Sequence, residues 1–168
     1  MKKKMSSLDI KFCVEELQEL LSSWTDKIYE IDGTFLIKFH HPEEGRKELI
    51  IEPGKRIHLT KMKYPTPKKP PDFPMLLRKH LSNYRLTKVK QPDLERIVEL
   101  VFEKKDEEKI LIAELFGAGN LVLCDKNYEI IQPYQREDWG TRTIRPNEKY
   151  DYPPKKGIDI RSIKKSDL

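Results

Sequence analysis

The sequence predicts an α+β fold in which antiparallel strands dominate and helices flank them, and three observations carry the prediction. Apolar residues recur at helical spacing in only two stretches, one beginning at Ser6 and one at Phe73. Between and after them, short apolar runs alternate with turn signals such as Asp32-Gly33, Pro53-Gly54 and Gly117-Ala118-Gly119-Asn120. A length of 168 residues with 37% hydrophobic content suits one modest domain with one core.

The first helix follows from Ile10, Cys13, Val14, Leu17, Leu20 and Leu21 at three- and four-residue spacing. Ser6 and Asp9 provide a capping box at its start, so Asp9 has a structural task whatever else it does. Residues 27–31 and 34–39 read as a hairpin, because Asp32-Gly33 accepts the positive φ of a two-residue turn. Residues 48–52 and 56–60, parted by Pro53-Gly54, add two antiparallel strands, and Arg56, His58 and Thr60 share one face of the second. From Lys61 to Pro74, five prolines and four lysines make an extended loop. Asp72 is placed to cap a short, half-buried helix over 73–81, with Pro74 in its first turn and Arg78 and Lys79 toward its end.

Strands are expected at 85–90 and again from Val98 to Phe102. Extending the period-two geometry of the latter upstream puts Arg96 on the face of Val98, Leu100 and Phe102. An arginine there is either neutralised by a neighbouring carboxylate or aimed at a partner. Residues 110–116 are apolar on both alternating sets and read as a central strand, with 121–124 as its hairpin partner and 129–131 as one more. The domain is expected to occupy residues 1–154, and the polar, basic residues 155–168 to be a linker toward further domains of the same protein.

Charge is uneven. Between Lys55 and Lys90 there are eleven Lys and Arg against one acid, Asp72, a balance of +10 that leaves −5 for the rest. Such a segment is either an electrostatic footprint for a polyanion or a solvated, self-repelling surface. No run is long and apolar enough to span a membrane, and the basic start Met1-Lys2-Lys3-Lys4-Met5 has no apolar stretch behind it to make a signal peptide. Cys13 and Cys124 lie far apart within apolar patterns, as reduced core thiols of a cytoplasmic protein do. Four histidines and two cysteines show no zinc spacing, no nucleophile elbow is present, and the glycines at 117 and 119 lead into a strand rather than a helix N-terminus. Neither a metal nor a cofactor is expected. Asp9, Glu95 and Glu114 leave a paired-carboxylate enzyme as a weak option.

Five ordered blocks resemble one family: Met5 to Ile10, Pro53 to Thr60, Phe73 to Leu81, Gln91-Pro92 with Glu95 to Val98, and Glu114 to Gly117. Together they are similar to the N-terminal NFACT domain of the Rqc2, NEMF and RqcH proteins, with bacterial relatives named fibronectin-binding protein A. The Gly117-Ala118-Gly119-Asn120 turn looks more like archaeal or eukaryotic members. The resemblance implies an antiparallel β-sandwich with flanking helices, similar to the N-terminal domain of formamidopyrimidine-DNA glycosylases but without their N-terminal Pro-Glu pair. It further implies a cytoplasmic, non-catalytic module that binds tRNA and the large ribosomal subunit carrying a stalled nascent chain, and recruits tRNA for C-terminal tailing. The family's early Asp falls on Asp9, and its Asp-Arg pair on Glu95 and Arg96, with Glu in place of Asp. The expected RNA contacts are Asp9, Glu95 and Arg96 for position, and Arg56, His58, Lys61, Lys63, Lys68, Lys69, Arg78 and Lys79 for affinity. A DNA-lesion-binding or glycosylase-like protein and an adhesin-like protein-interaction domain are the alternatives.

Overall fold

The computed structural model describes residues 4–138 and 140–153; the expected linker at 155–168 lies outside them. Helix α1 spans Ser7–Leu17 and runs into a 3-10 turn over Gln18–Leu20. Strands β1 (Trp24–Ile31), β2 (Thr34–His41), β3 (Gly45–Glu52) and β4 (Arg56–Thr60) form a meander, and helix α2 (Asp72–Leu81) follows the proline-rich loop. A second meander comprises β5 (Arg85–Lys90), β6 (Ile97–Lys104), β7 (Glu107–Glu114), β8 (Asn120–Asp125) and β9 (Ile130–Pro133). A two-stranded ribbon of β10 (Glu137–Asp138) and β11 (Thr143–Ile144) lies beyond it.

The nine main strands pair antiparallel in the order β4-β3-β2-β1-β5-β6-β7-β8-β9. Most pairs are long, but β1 and β5 share a single register pair, Trp24 with Arg85. That narrow join lets the sheet fold over on itself. Phe39 of one half stacks on Phe102 of the other, with ring centroids 6.4 Å apart and planes 8° from parallel. Ile37, Leu49 and Ile57 meet Leu100, Leu111 and Leu123 in one buried cluster. The result is a β-sandwich of two half-sheets, β1–β4 and β5–β9.

Each helix closes one side. Helix α1 buries Ile10, Cys13 and Leu17; the Cys13 thiol donates to the Ile57 carbonyl at 2.9 Å, and Gln18 Nε2 donates to Val89 O at 3.0 Å. Helix α2 buries Pro74, Leu77 and Leu81, and its Phe73 ring sits 5.8 Å from Phe35 and 5.4 Å from Tyr134. Both predicted thiols are free and buried, and burial pushes them up to about 11 for Cys13 and about 12 for Cys124, which favours the protonated thiol.

Three local expectations change. The first strand begins at Trp24 rather than Lys27, because a bulge between Thr25 and Ile28 leaves Asp26 and Lys27 exposed in succession and breaks the alternation. Asp72 does not cap α2: Pro71 occupies the N-cap position, no side chain bonds there, and Asp72 is the first helical residue. Arg96 precedes β6 instead of extending it. Residues 92–96 form a bend, with Asp93 at φ 50°, so period-two geometry does not reach the arginine.

Candidate nucleic-acid interface

Four segments distant in sequence meet at one end of the sandwich. The Met5 N–H donates to Lys55 O at 2.7 Å, the Gly54 N–H to Glu114 O at 2.9 Å, and the Leu115 N–H to Arg96 O at 2.8 Å. Gln91 completes the junction: its Nε2 donates to Ser7 O at 3.0 Å and to Glu95 O at 2.7 Å, tying the first turn of α1 to the bend that carries Glu95 and Arg96. The turns at Gly54 and Gly119 touch so closely that a Cβ on Gly119 would lie 2.0 Å from Gly54 N. Gly119 also has φ +81°, so glycine is required there twice over.

Within this frame Asp9 makes the predicted capping box, accepting the Ser6 N–H at 2.9 Å while its own N–H donates to Ser6 Oγ at 3.1 Å. Glu95 is half-buried, with its N–H donating to Pro92 O at 3.2 Å. Arg96 is half-buried too, and among the described residues no hydrogen bond or ion pair engages its guanidinium. Gln91 lies outside the expected RNA contacts, although it falls within the Gln91-Pro92 block. Its clamp role is invisible in sequence because Ser7 lies 84 positions away.

The basic residues divide into tied and untied. Arg56 is tied, its Nε 2.9 Å from Glu52 Oε1. Partial burial works against the Glu52 carboxylate, but hydrogen bonds from Lys55 and Arg56 outweigh it and hold its pKa below the usual range. Arg78 is tied as well: its Nε donates to Ile28 O at 2.7 Å and its guanidinium lies 4.5 Å over the Tyr29 ring. His58 holds its Nδ1 2.9 Å from the Leu59 carbonyl, which fixes the ring proton on that nitrogen. Lys61, Lys63, Lys68, Lys69 and Lys79 are exposed, with no ion pair among the described residues. The loop bearing the first four is anchored by Tyr64, which packs on the outer-face cluster of Tyr29, Leu36 and Ile50.

The third carboxylate weighed from sequence, Glu114, is withdrawn from any such set. It is 1% exposed and receives both terminal nitrogens of Arg142, at 2.8 and 2.7 Å, together with the Tyr150 hydroxyl at 2.5 Å. Glu137 holds the other edge of the same guanidinium at 3.0 Å. Burial disfavours the Arg142 cation, yet the two carboxylates outweigh it and raise its pKa above the ordinary value. Among the described residues no cluster of His, Cys, Asp and Glu has the arrangement of a metal site.

The geometry is thus an end of the sandwich carrying Asp9, Glu95 and an unengaged arginine, with exposed lysines on the proline-rich loop and on α2. A family model described as "NFACT N-terminal and middle domains" matches residues 6–168. An archaeal Rqc2 homolog, aRqcH, of Methanocaldococcus jannaschii is 41% identical over 165 residues, covering 95% of this chain and 25% of that protein. The human ribosome quality control complex subunit NEMF is 36% identical over 133 residues, covering 78% of this chain and 12% of that one. The chain therefore spans a quarter or less of these relatives. In fold it is similar to the N-terminal domain of fibronectin-binding protein PavA from Streptococcus pneumoniae, with a TM-score of 0.81 at 23% identity over 96% of this chain and 71% of that one. With a family match over nearly its whole length and an archaeal relative at this identity, the chain belongs to the NFACT N-terminal family.

Proposed function

We propose that this chain is the tRNA- and ribosome-binding module of a ribosome-associated quality control factor, acting in the cytoplasm on large-subunit complexes with stalled nascent chains and recruiting tRNA for C-terminal tailing. It performs no covalent chemistry. The observation that carries this reading is Arg96: a half-buried guanidinium without a partner among the described residues, on the bend that Gln91 ties to the first turn of α1. A planar guanidinium forks to phosphate or stacks on an exposed base, which suits an unpaired RNA loop. Glu95 accepts hydrogen bonds from base edges, reaching about one methylene further than an Asp. The untied lysines of the proline-rich loop add affinity through counterion release without reading sequence. The names of the relatives, which are ribosome quality control subunits, support the same assignment.

The test is the RNA that co-purifies with the protein. We expect tRNA with the wild-type protein and its loss with Arg96→Ala. Identical RNA in both preparations would remove Arg96 from the interface.

A further inference from the structure

At the end of the sandwich away from Asp9 and Arg96, a row of outward-facing side chains runs across five strands, β3, β2 and β1 of the first half-sheet and β5 and β6 of the second. Register pairs link Arg46 to His40, His40 to Trp24, Trp24 to Arg85 and Arg85 to Glu103. The row faces outward because the next residue along β1, β2, β5 and β6, namely Thr25, Phe39, Leu86 and Phe102, is buried. Arg46, His40 and Arg85 are exposed, and Trp24 is half-buried. The Arg85 guanidinium lies 4.8 Å over the Trp24 ring. Trp24, Asp26, His40 and Asn83 line an open recess of about 500 Å3. Cations nearby are paired: Lys38 with Glu48, and Lys47 with Glu19 and Glu44. Among the described residues, neither Arg46 nor Arg85 has such a partner. About 20 Å of strand β3, from Glu52 to Arg46, separates this row from the Asp9 and Arg96 end.

We propose that this row is a second contact for single-stranded RNA, in which a nucleobase enters the recess against Trp24 while Arg46 and Arg85 take the flanking phosphates. The inference rests on the RNA-binding reading above. An indole backed by a guanidinium is a stacking platform that accepts any base, because every base has a π-face. Asn83 presents a donor and an acceptor to a base edge, and Asp26 accepts from an exocyclic amine. A bare anion has no use for the indole. The site is built for affinity and tolerance, whereas the Asp9, Glu95 and Arg96 end is built for position.

The test uses the chain with Trp139→Phe, which leaves Trp24 as the single tryptophan of the two, titrated with oligoadenylate. We expect saturable quenching of Trp24 emission. Arg46→Gln combined with Arg85→Gln, both at exposed positions, should weaken binding about five- to tenfold with the melting temperature unchanged. Trp24→Phe should retain binding and Trp24→Leu should lose it. If oligoadenylate leaves Trp24 emission unchanged and Trp24→Leu binds as tightly, while Arg96→Ala still loses tRNA, the platform is refuted and the proposed function stands. Polyglutamate that quenches as strongly would also refute it, by showing a site for anions in general. Absence of binding to either RNA would overturn both readings.

Discussion

The two outer faces of the sandwich handle charge in opposite ways. On the second half-sheet, Ile97, Val101, Ile110, Ile112, Val122, Cys124 and Ile130 are roofed by Ile144 and Tyr150 from the C-terminal segment. Two carboxylates are sealed beneath that roof. Glu114 is matched by Arg142, and Glu99, 0% exposed, accepts the hydroxyls of Tyr128 at 2.6 Å and Tyr152 at 2.5 Å. On the first half-sheet the apolar cluster is only Tyr29, Leu36 and Ile50 with Tyr64 packed on it, and the lysines of the loop that carries Tyr64 stay in solvent. Buried charge in a low-dielectric interior must be matched to be tolerated, so it becomes structure. Exposed charge contributes little to folding and is left available to a partner. The difference predicts which substitutions reach stability and which reach binding.

The sharpest way to break the comparison is at Arg142. Arg142→Ala should cost about 3–5 kcal/mol by leaving Glu114 charged and unmatched in the interior. Denaturant unfolding measures it, and a loss below about 1 kcal/mol would mean that water reaches the carboxylate and the roof is not sealed. Gly119→Ala should cost about 1–3 kcal/mol, since a Cβ there meets the Gly54 backbone at positive φ. Because that contact aligns the Arg96 end, tRNA affinity should fall along with the melting temperature.

An alkaline titration sharpens the contrast further. Burial, reinforced by the Glu99 hydrogen bond, pushes the Tyr128 hydroxyl up to about 12 from its ordinary 10.0. The unfolded chain releases this proton first, so Tyr128 contributes stability that is intact below about pH 10 and lost as pH rises through about 12. The slope of melting temperature against pH in that window should be shallower in Tyr128→Phe. On the open face the expected effect on stability vanishes: Lys63, Lys68 and Lys69 changed together to Gln should leave the melting temperature unaltered. The log–log salt slope of tRNA binding should then flatten by up to about 2. An unchanged slope would mean that the loop is merely solvated.

What could be read in the sequence was what neighbours in the chain determine. The Ser6 and Asp9 capping box, the Asp32-Gly33 hairpin and the doubly buried strand around Ile110 to Ala113 are all set by residues within a few positions of each other. Glu114 and Arg142 are 28 positions apart, and no periodicity announces their pairing. Glu99 falls on the alternate side of β6 from Val98 and Leu100, a position that is solvent-facing unless something distant covers it. Its cover comes from tyrosines 29 and 53 residues away. The family blocks pointed to Asp9, Glu95 and Arg96, and the fold brings their segments to one end through Gln91. Arg56 and Arg78, expected to serve affinity, are tied by Glu52, Ile28 and Tyr29, contacts that only the folded chain creates.

The central claim is that Arg96 faces RNA while Arg142 holds the fold together, and the two arginines can be compared in one experiment. Arg96→Ala and Arg142→Ala would be measured side by side for tRNA affinity and melting temperature. The account predicts that Arg96→Ala loses about tenfold or more in affinity, as a charged hydrogen bond implies, with its melting temperature unmoved. Arg142→Ala should lose melting temperature and, below it, bind tRNA as the wild type does. An Arg96→Ala protein that melts early and still binds tRNA fully would contradict the account.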